Sequence, residues 1–185
     1  MKKKEKSNSR KKRLYKNIAQ NVLLLIIIAA AVFFLFSKIF FSLPKNEGYG
    51  MLTVLNNGDR VYVNRFGKPK RFSLIYFNQP DGNGTSIRRV IGLGGERVRY
   101  VNDELYINNQ LFNERFLSKE LAQAKIDNEM ITTDFDSIDI SETQSGIIPE
   151  GKYLVLGDNR KYSTDSRYYG LVDEKDIIGT VLLLR

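Results

Sequence analysis

Three segments hold most of the residues that could do chemistry. The first is Gly48-Tyr49-Gly50-Met51-Leu52-Thr53-Val54-Leu55, followed by Gly58-Asp59-Arg60-Val61. The second is Ser86, then Arg88-Arg89-Val90-Ile91-Gly92-Leu93-Gly94-Gly95-Glu96. The third is Leu156-Gly157-Asp158-Asn159-Arg160, then Ser163, Asp165, Ser166, Arg167, Gly170 and Val172. The chain has no His and no Cys. That excludes a Ser-His-Asp triad, an HExxH zinc site, Cys-ligated zinc, disulfides and a thiol nucleophile. Any catalysis must therefore use Ser, Thr, Tyr, Lys, Asp or Glu, and a Lys accepts a proton only where burial depresses its pKa. Lys68 and Lys70 flank Pro69 in a polar loop, where a lysine stays protonated. Ser86 and Arg88 share one side of a strand by their spacing. Arg keeps its charge to a pKa above about 12 and cannot serve as the base. Ser86 thus reads as a polar strand residue.

Three other patterns carry no chemistry. Gly92-Leu93-Gly94-Gly95 begins like a dinucleotide-binding turn, but Arg97 stands where the last Gly belongs and a strand pattern follows in place of a helix. These glycines are expected to form a tight turn. Asp134, Asp136 and Asp139 lack the Gly and closing Glu of a calcium loop and read as a solvated acidic loop. Asn83-Gly84-Thr85 fits a glycosylation acceptor, yet Asn-Gly is already explained as a turn.

The elements that would position these segments follow from periodicity. Val61 and Val63 alternate, and Ser73–Phe77, Ser86–Leu93, Arg97–Val101, Glu104–Ile107, Tyr153–Leu156 and Ile177–Leu184 are short apolar runs bounded by turn formers. Asn102-Asp103 is expected to turn a hairpin. One helix is expected from Asn113 to about Asp127, with Leu117, Leu121 and Ala124 on one face. The body therefore reads as mainly antiparallel β.

The charge is uneven. Nine basic residues and Glu5 lie in the first 16 positions, and together they account for the whole net charge of +8. A neutral body with a basic tail argues against a nucleic-acid partner. Val22–Phe36 is apolar without a break, and the stretch from Ile18 to Phe41 is long enough to cross a bilayer, which takes roughly 20 residues. No A-x-A-like cleavage site follows it, so an uncleaved anchor is expected, with the basic tail cytoplasmic and the body outside.

With that anchor in front, the three segments resemble the bacterial type I signal peptidases, peptidase family S26. The third block, LGDNRKYSTDSRYYGLV, carries the resemblance most specifically. In active members the first block reads S-M-x-P-T-L and supplies a nucleophilic Ser. The second reads K-R-V-I-G-L-P-G-D and supplies a Lys general base. The register of the resemblance places Gly50 at the nucleophile and Arg88 at the base, with Thr53 and Gly94 in place of the two Pro residues. It implies that Ser163 orients the base, that Asp165, Arg167 and Arg89 form a supporting ionic cluster, and that Gly157, Asp158 and Asn159 shape the turn beside the cleft. Tyr49–Leu52, including Met51, and Asn83–Ile87, including Ser86, correspond to the walls of the substrate cleft.

The expected architecture is mainly β, antiparallel sheets of the signal-peptidase type. It comprises a basic tail (1–17), an anchor (18–41), a β core (42–101 and 149–185) and a smaller inserted α+β region (102–148). No cofactor and no metal is expected. The resemblance implies a catalytically inactive, membrane-anchored protein that binds extended peptide or protein partners. Inactive homologues of this kind occur in Gram-positive pilus clusters, so a pilin or a sortase is the implied partner. The rival expectations are an active type I signal peptidase that uses other groups, and a structural module with a relic cleft. Gly50→Ser is expected to be tolerated, and Gly50→Phe to leave stability nearly unchanged.

Overall fold

The computed structural model describes residues 2–183, with side chains described for 15–35 and 43–183. Leu184, the expected end of the last strand, lies outside the described residues, as do the side chains of the expected cytoplasmic tail through Leu14 and of Phe36–Phe41 at the end of the expected span. The chain divides into two compact units, Met1–Phe41 and Ser42–Arg185. The first is a continuous helix, α1 (Lys2–Phe40). Its segment Tyr15–Leu35, 21 residues, is long and apolar enough to cross a membrane, and none of it is buried in protein. An apolar run with no Pro or Gly sustains helix in a setting where every backbone group must bond within the segment.

In the second unit the apolar runs form strands β2 (Tyr62–Asn64), β3 (Leu74–Asn78), β4 (Thr85–Gly92), β5 (Val98–Val101), β6 (Glu104–Ile107), β7 (Gln110–Phe112), β8 (Phe135–Asp136), β9 (Lys152–Leu156), β10 (Val172–Asp173) and β11 (Ile177–Leu182), after a two-residue β1 (Phe41–Ser42). The larger sheet runs β2-β11-β3-β4-β9-β10, and the smaller is four-stranded in the order β7-β6-β5-β8. The pairings within the body are antiparallel. Asn102 and Asp103 turn the β5–β6 hairpin with φ of 50° and 65°, the conformation that two-residue hairpin loops require. A second hairpin, turned by Asn108 and Asn109 at φ 49° and 63°, adds β7, which the period-two pattern did not reveal because its residues are mostly exposed. The smaller sheet takes in Val98–Val101, four residues that the sequence pattern grouped with the core. The expected helix begins later: Arg115–Leu117 is a 3-10 turn and α2 spans Ser118–Asp127. The acidic stretch expected to be loop or weak strand contains β8 and a 3-10 turn, Ser137–Asp139.

β4 is the central organising strand. Residues 86–92 are buried on both faces, and Ile87, Val90 and Ile91 each enter a different core cluster. Each such side chain contributes about 1.5–3 kcal/mol when fully buried. A bulge between Val90 and Gly92 bends this strand against β9. A Cβ at Gly92 would come 2.5 Å from Ile148 and 2.6 Å from Val98, so the bend brings the insert closer than any other residue allows. The expected turn after β4 forms, with Gly95 at φ 79° and the Glu96 N–H donating to Leu93 O at 3.2 Å. Gly92→Ala should therefore lower stability by about 1–3 kcal/mol through overpacking, measurable by urea unfolding of the soluble body.

Candidate functional site

Arg88 and Arg89 are neighbours on β4, so their side chains leave opposite faces of the sheet. Arg89 pairs in register with Leu156, the last residue of β9, and Asp158 lies two residues further along on the same side. The result is a buried bidentate ion pair: Nε to Oδ1 at 2.7 Å and Nη2 to Oδ2 at 2.5 Å. Arg89 also donates to Phe72 O and stacks 4.0 Å from the Phe116 ring centroid. Arg89 therefore does not join Asp165 and Arg167 as expected. Those two pair with each other, Arg167 Nη2 to Asp165 Oδ2 at 2.8 Å. The alternation of a strand, invisible in a motif, separates the two pairs. Asp165 also caps the short helix α3 (Ser166–Tyr169) by accepting from Arg167 N, and accepts from Gly157 N at 3.0 Å.

The turn after β9 holds the Gly50 loop. Asn159 N donates to Gly50 O at 2.9 Å, its Nδ2 donates to Tyr49 O at 3.0 Å, and Asp158 N reaches the sulfur of Met51 at 3.4 Å. Met51 is fully buried and anchors the loop in the core. A Cβ at Gly157 would meet Ser163 Oγ at 2.0 Å and Gly50 O at 2.6 Å. Only Gly permits the two segments to close on each other.

These contacts bring Gly50, Arg88 and Ser163 to one point. The position that a Gly50 side chain would take lies 3.0 Å from Ser163 Oγ and 3.1–3.2 Å from the Arg88 guanidinium. Arg88 is buried and donates from Nε and Nη2 to Thr164 O at 3.0 and 2.8 Å, and from Nη1 to Ile87 O at 2.7 Å. Ser163 Oγ is buried without a hydrogen-bond partner. Ser86 is buried on β4, while Lys68 and Lys70 are exposed. The cluster supplies positive charge and hydrogen-bond donors. It supplies neither a nucleophile at position 50 nor a proton acceptor at position 88.

Sequence reasoning missed a second buried network. Arg160, within the third block, is fully buried and donates to both Glu114 oxygens, at 2.5 and 3.3 Å, to Thr132 Oγ1 and to Gly157 O. Tyr100 OH donates to Glu114 Oε1 at 2.7 Å. Burial holds the Tyr100 phenol well above its ordinary pKa. Burial also works to lower the Arg160 pKa, but Tyr100 and Glu114 overcome it and the net displacement is upward. Glu114 lies 46 residues from Arg160, beyond any local pattern. Two of the three carboxylates of the rejected calcium loop are committed elsewhere: Asp136 to Arg97 and Asp134 to Asn102 N.

The antiparallel core, the insert and the convergence of the three blocks define an S26-type fold. Residues 19–184 match the family described as signal peptidase, peptidase S26, and the chain belongs to that family. It is 39% identical over 141 residues to signal peptidase I V of Bacillus subtilis (strain 168), covering 74% of this chain and 81% of that protein. It is equally identical over 141 residues to signal peptidase IB of Staphylococcus aureus, with 73% and 72% covered. A crystal structure of a signal peptidase I from Enterococcus faecalis V583 is similar with a TM-score of 0.57 and 42% identity, covering 62% of this chain and 97% of that one.

Removing one partner of either buried pair leaves an uncompensated charge. Asp158→Ala and Glu114→Ala should each cost about 3–5 kcal/mol, read as a fall in the denaturant midpoint, and Asp165→Ala should do the same by stranding Arg167. Lys161→Ala, which breaks a surface pair with Glu129, should change stability by less than about 1 kcal/mol.

Proposed function

We propose that this chain is a membrane-anchored, signal-peptidase-like protein without the family's Ser–Lys chemistry. It binds extended peptide or protein partners outside the membrane and assists sortase-dependent pilus assembly. The observation that carries the loss of chemistry is the convergence of Gly50, Arg88 and Ser163. Three blocks remote in sequence meet at one point, and at that point a residue with no side chain faces a permanent cation. Gly50 and Arg88 also fit each other: a side chain at 50 would crowd the guanidinium at 3.1–3.2 Å. Two independent losses would not match in shape by necessity. The pilus role is supported by the resemblance to inactive homologues in Gram-positive pilus clusters. Binding by main-chain pairing along a groove needs no nucleophile. The proposed walls are Tyr49–Leu52, where Tyr49 is 61% and Leu52 43% exposed, and Asn83–Ile87. The basic residues of the tail favour a cytoplasmic N-terminus.

The purified protein should leave a preprotein with an Ala-x-Ala site uncut. Cleavage that persists in Ser86→Ala would show that another nucleophile operates and would return the chain to the active peptidases. A Cβ at Gly50 would stand 3.0 Å from Ser163 Oγ and 3.1–3.2 Å from the Arg88 guanidinium, so Gly50→Ser requires these side chains to give by a few tenths of an ångström. The single change should cost about 1–3 kcal/mol, and Gly50→Phe more. Shortening Arg88 in the double variant Gly50→Ser with Arg88→Lys should recover much of that loss in melting temperature. In cells, Tyr49→Ala with Leu52→Ala should keep the fold and reduce pilus polymer on immunoblots. Protease added to intact protoplasts should digest the body and spare the anchor with its tail; a protected body would overturn the orientation.

A further inference from the structure

Peptide binding along the groove leaves one buried charge without a role. Arg88 is 7% exposed and has no carboxylate partner among the described residues. A guanidinium carries five N–H donors. Three are used, all on main-chain carbonyls, which leaves one on Nη1 and one on Nη2. Asp165 is already committed to Arg167 and Gly157 N. A buried cation held only by neutral carbonyls is costly.

One further donor is unused nearby. Among the described residues, Ser163 Oγ and Tyr169 OH are the buried side-chain polar atoms without a hydrogen-bond partner. Ser163 Oγ and the Arg88 guanidinium both border the bare face of Gly50, at 3.0 and 3.1 Å from the Cβ position. Every unused group can donate, and the sum of charge is positive. The cluster lies just beneath the surface, since Thr164, whose carbonyl takes two of the Arg88 bonds, is exposed, as are Tyr49 and Leu52.

A peptide carbonyl from an uncut chain would occupy one donor and leave the charge uncompensated. A carboxylate can take both remaining guanidinium N–H groups and neutralise the charge as well. Building on the peptide-binding function proposed above, we infer that Arg88 and Ser163 form a receptor for the C-terminal carboxylate of an extended peptide, so that the chain holds peptides that end beside Gly50 in preference to chains that run past it. The groove then reads the end of a polypeptide, the product side of a cleavage made by another enzyme.

The test uses the full chain in nanodiscs and a fluorescein-labelled, alanine-rich decapeptide ending in Ala-Gln-Ala. Fluorescence anisotropy compares the free acid, the C-terminal amide, a version extended past the last Ala, and an amide with Glu as its last residue. The acid should bind at least about tenfold tighter than the amide and the extended peptide, the scale of one charge-assisted hydrogen bond. Arg88→Gln should abolish that ratio, Arg88→Lys should retain part of it, and Ser163→Ala should narrow it. Equal binding of acid and amide overturns the carboxylate receptor while leaving the peptide-binding reading in place. Equal binding of the acid and the Glu amide overturns its assignment to a chain terminus. No binding of any form overturns both readings. Because the ratio is measured on the unaltered protein, a variant that fails to fold does not decide the outcome.

Discussion

The bidentate pair between Arg89 and Asp158 fixes the turn after β9 to the central strand, and the site hangs from that turn. Asn159 carries the Gly50 loop through two hydrogen bonds, and Asp158 contributes its own N–H to Met51. Gly157 allows Ser163 and Gly50 to meet. Buried ion pairs contribute little net stability compared with apolar packing, but they are directional and costly to break. Here the direction positions a loop that has little secondary structure of its own.

On the opposite face of the same strand, Arg88 shows the contrasting case. Its charge is buried without a counter-ion among the described residues and is met by the carbonyls of Ile87 and Thr164. A lysine in such a place can lose its proton; an arginine keeps its charge under all ordinary conditions. Arg88 can therefore only donate hydrogen bonds and attract anions.

The insert is tied to this scaffold by polar and apolar contacts together. Ile91, Leu154 and Leu156 of the large sheet share a cluster with Val98, Tyr100, Leu105 and Ile107 of the small one. Arg160 reaches from the turn to Glu114, Thr132 and the Tyr100 ring. The insert and the site thus share the residues between Gly157 and Arg160, and loss of Glu114 would disturb both.

Much of this was legible in the sequence because it is written locally. Period-two runs specify strands, Asn-Asp specifies a hairpin turn, a break-free apolar stretch specifies a span, and the composition excludes His and Cys chemistry. The long third block placed the chain near a known family, and the register of the blocks singled out Gly50, Arg88 and Ser163. The ion-pair partners were not legible. Arg88 and Arg89 are identical letters side by side, and only the alternation of β4 sends one to Asp158 and the other to Gly50. Glu114 and Arg160 meet across 46 residues of chain, and no periodicity links them. Nor could composition show that Gly50 is crowded by Arg88, since that distance is set by how the β9 turn folds back on the loop. Residue type determined which chemistry position 50 and position 88 can perform; the packing of β4, the Gly157 turn and the Gly50 loop decided that the two face each other, because a distance between remote segments exists only once the chain has closed around its core.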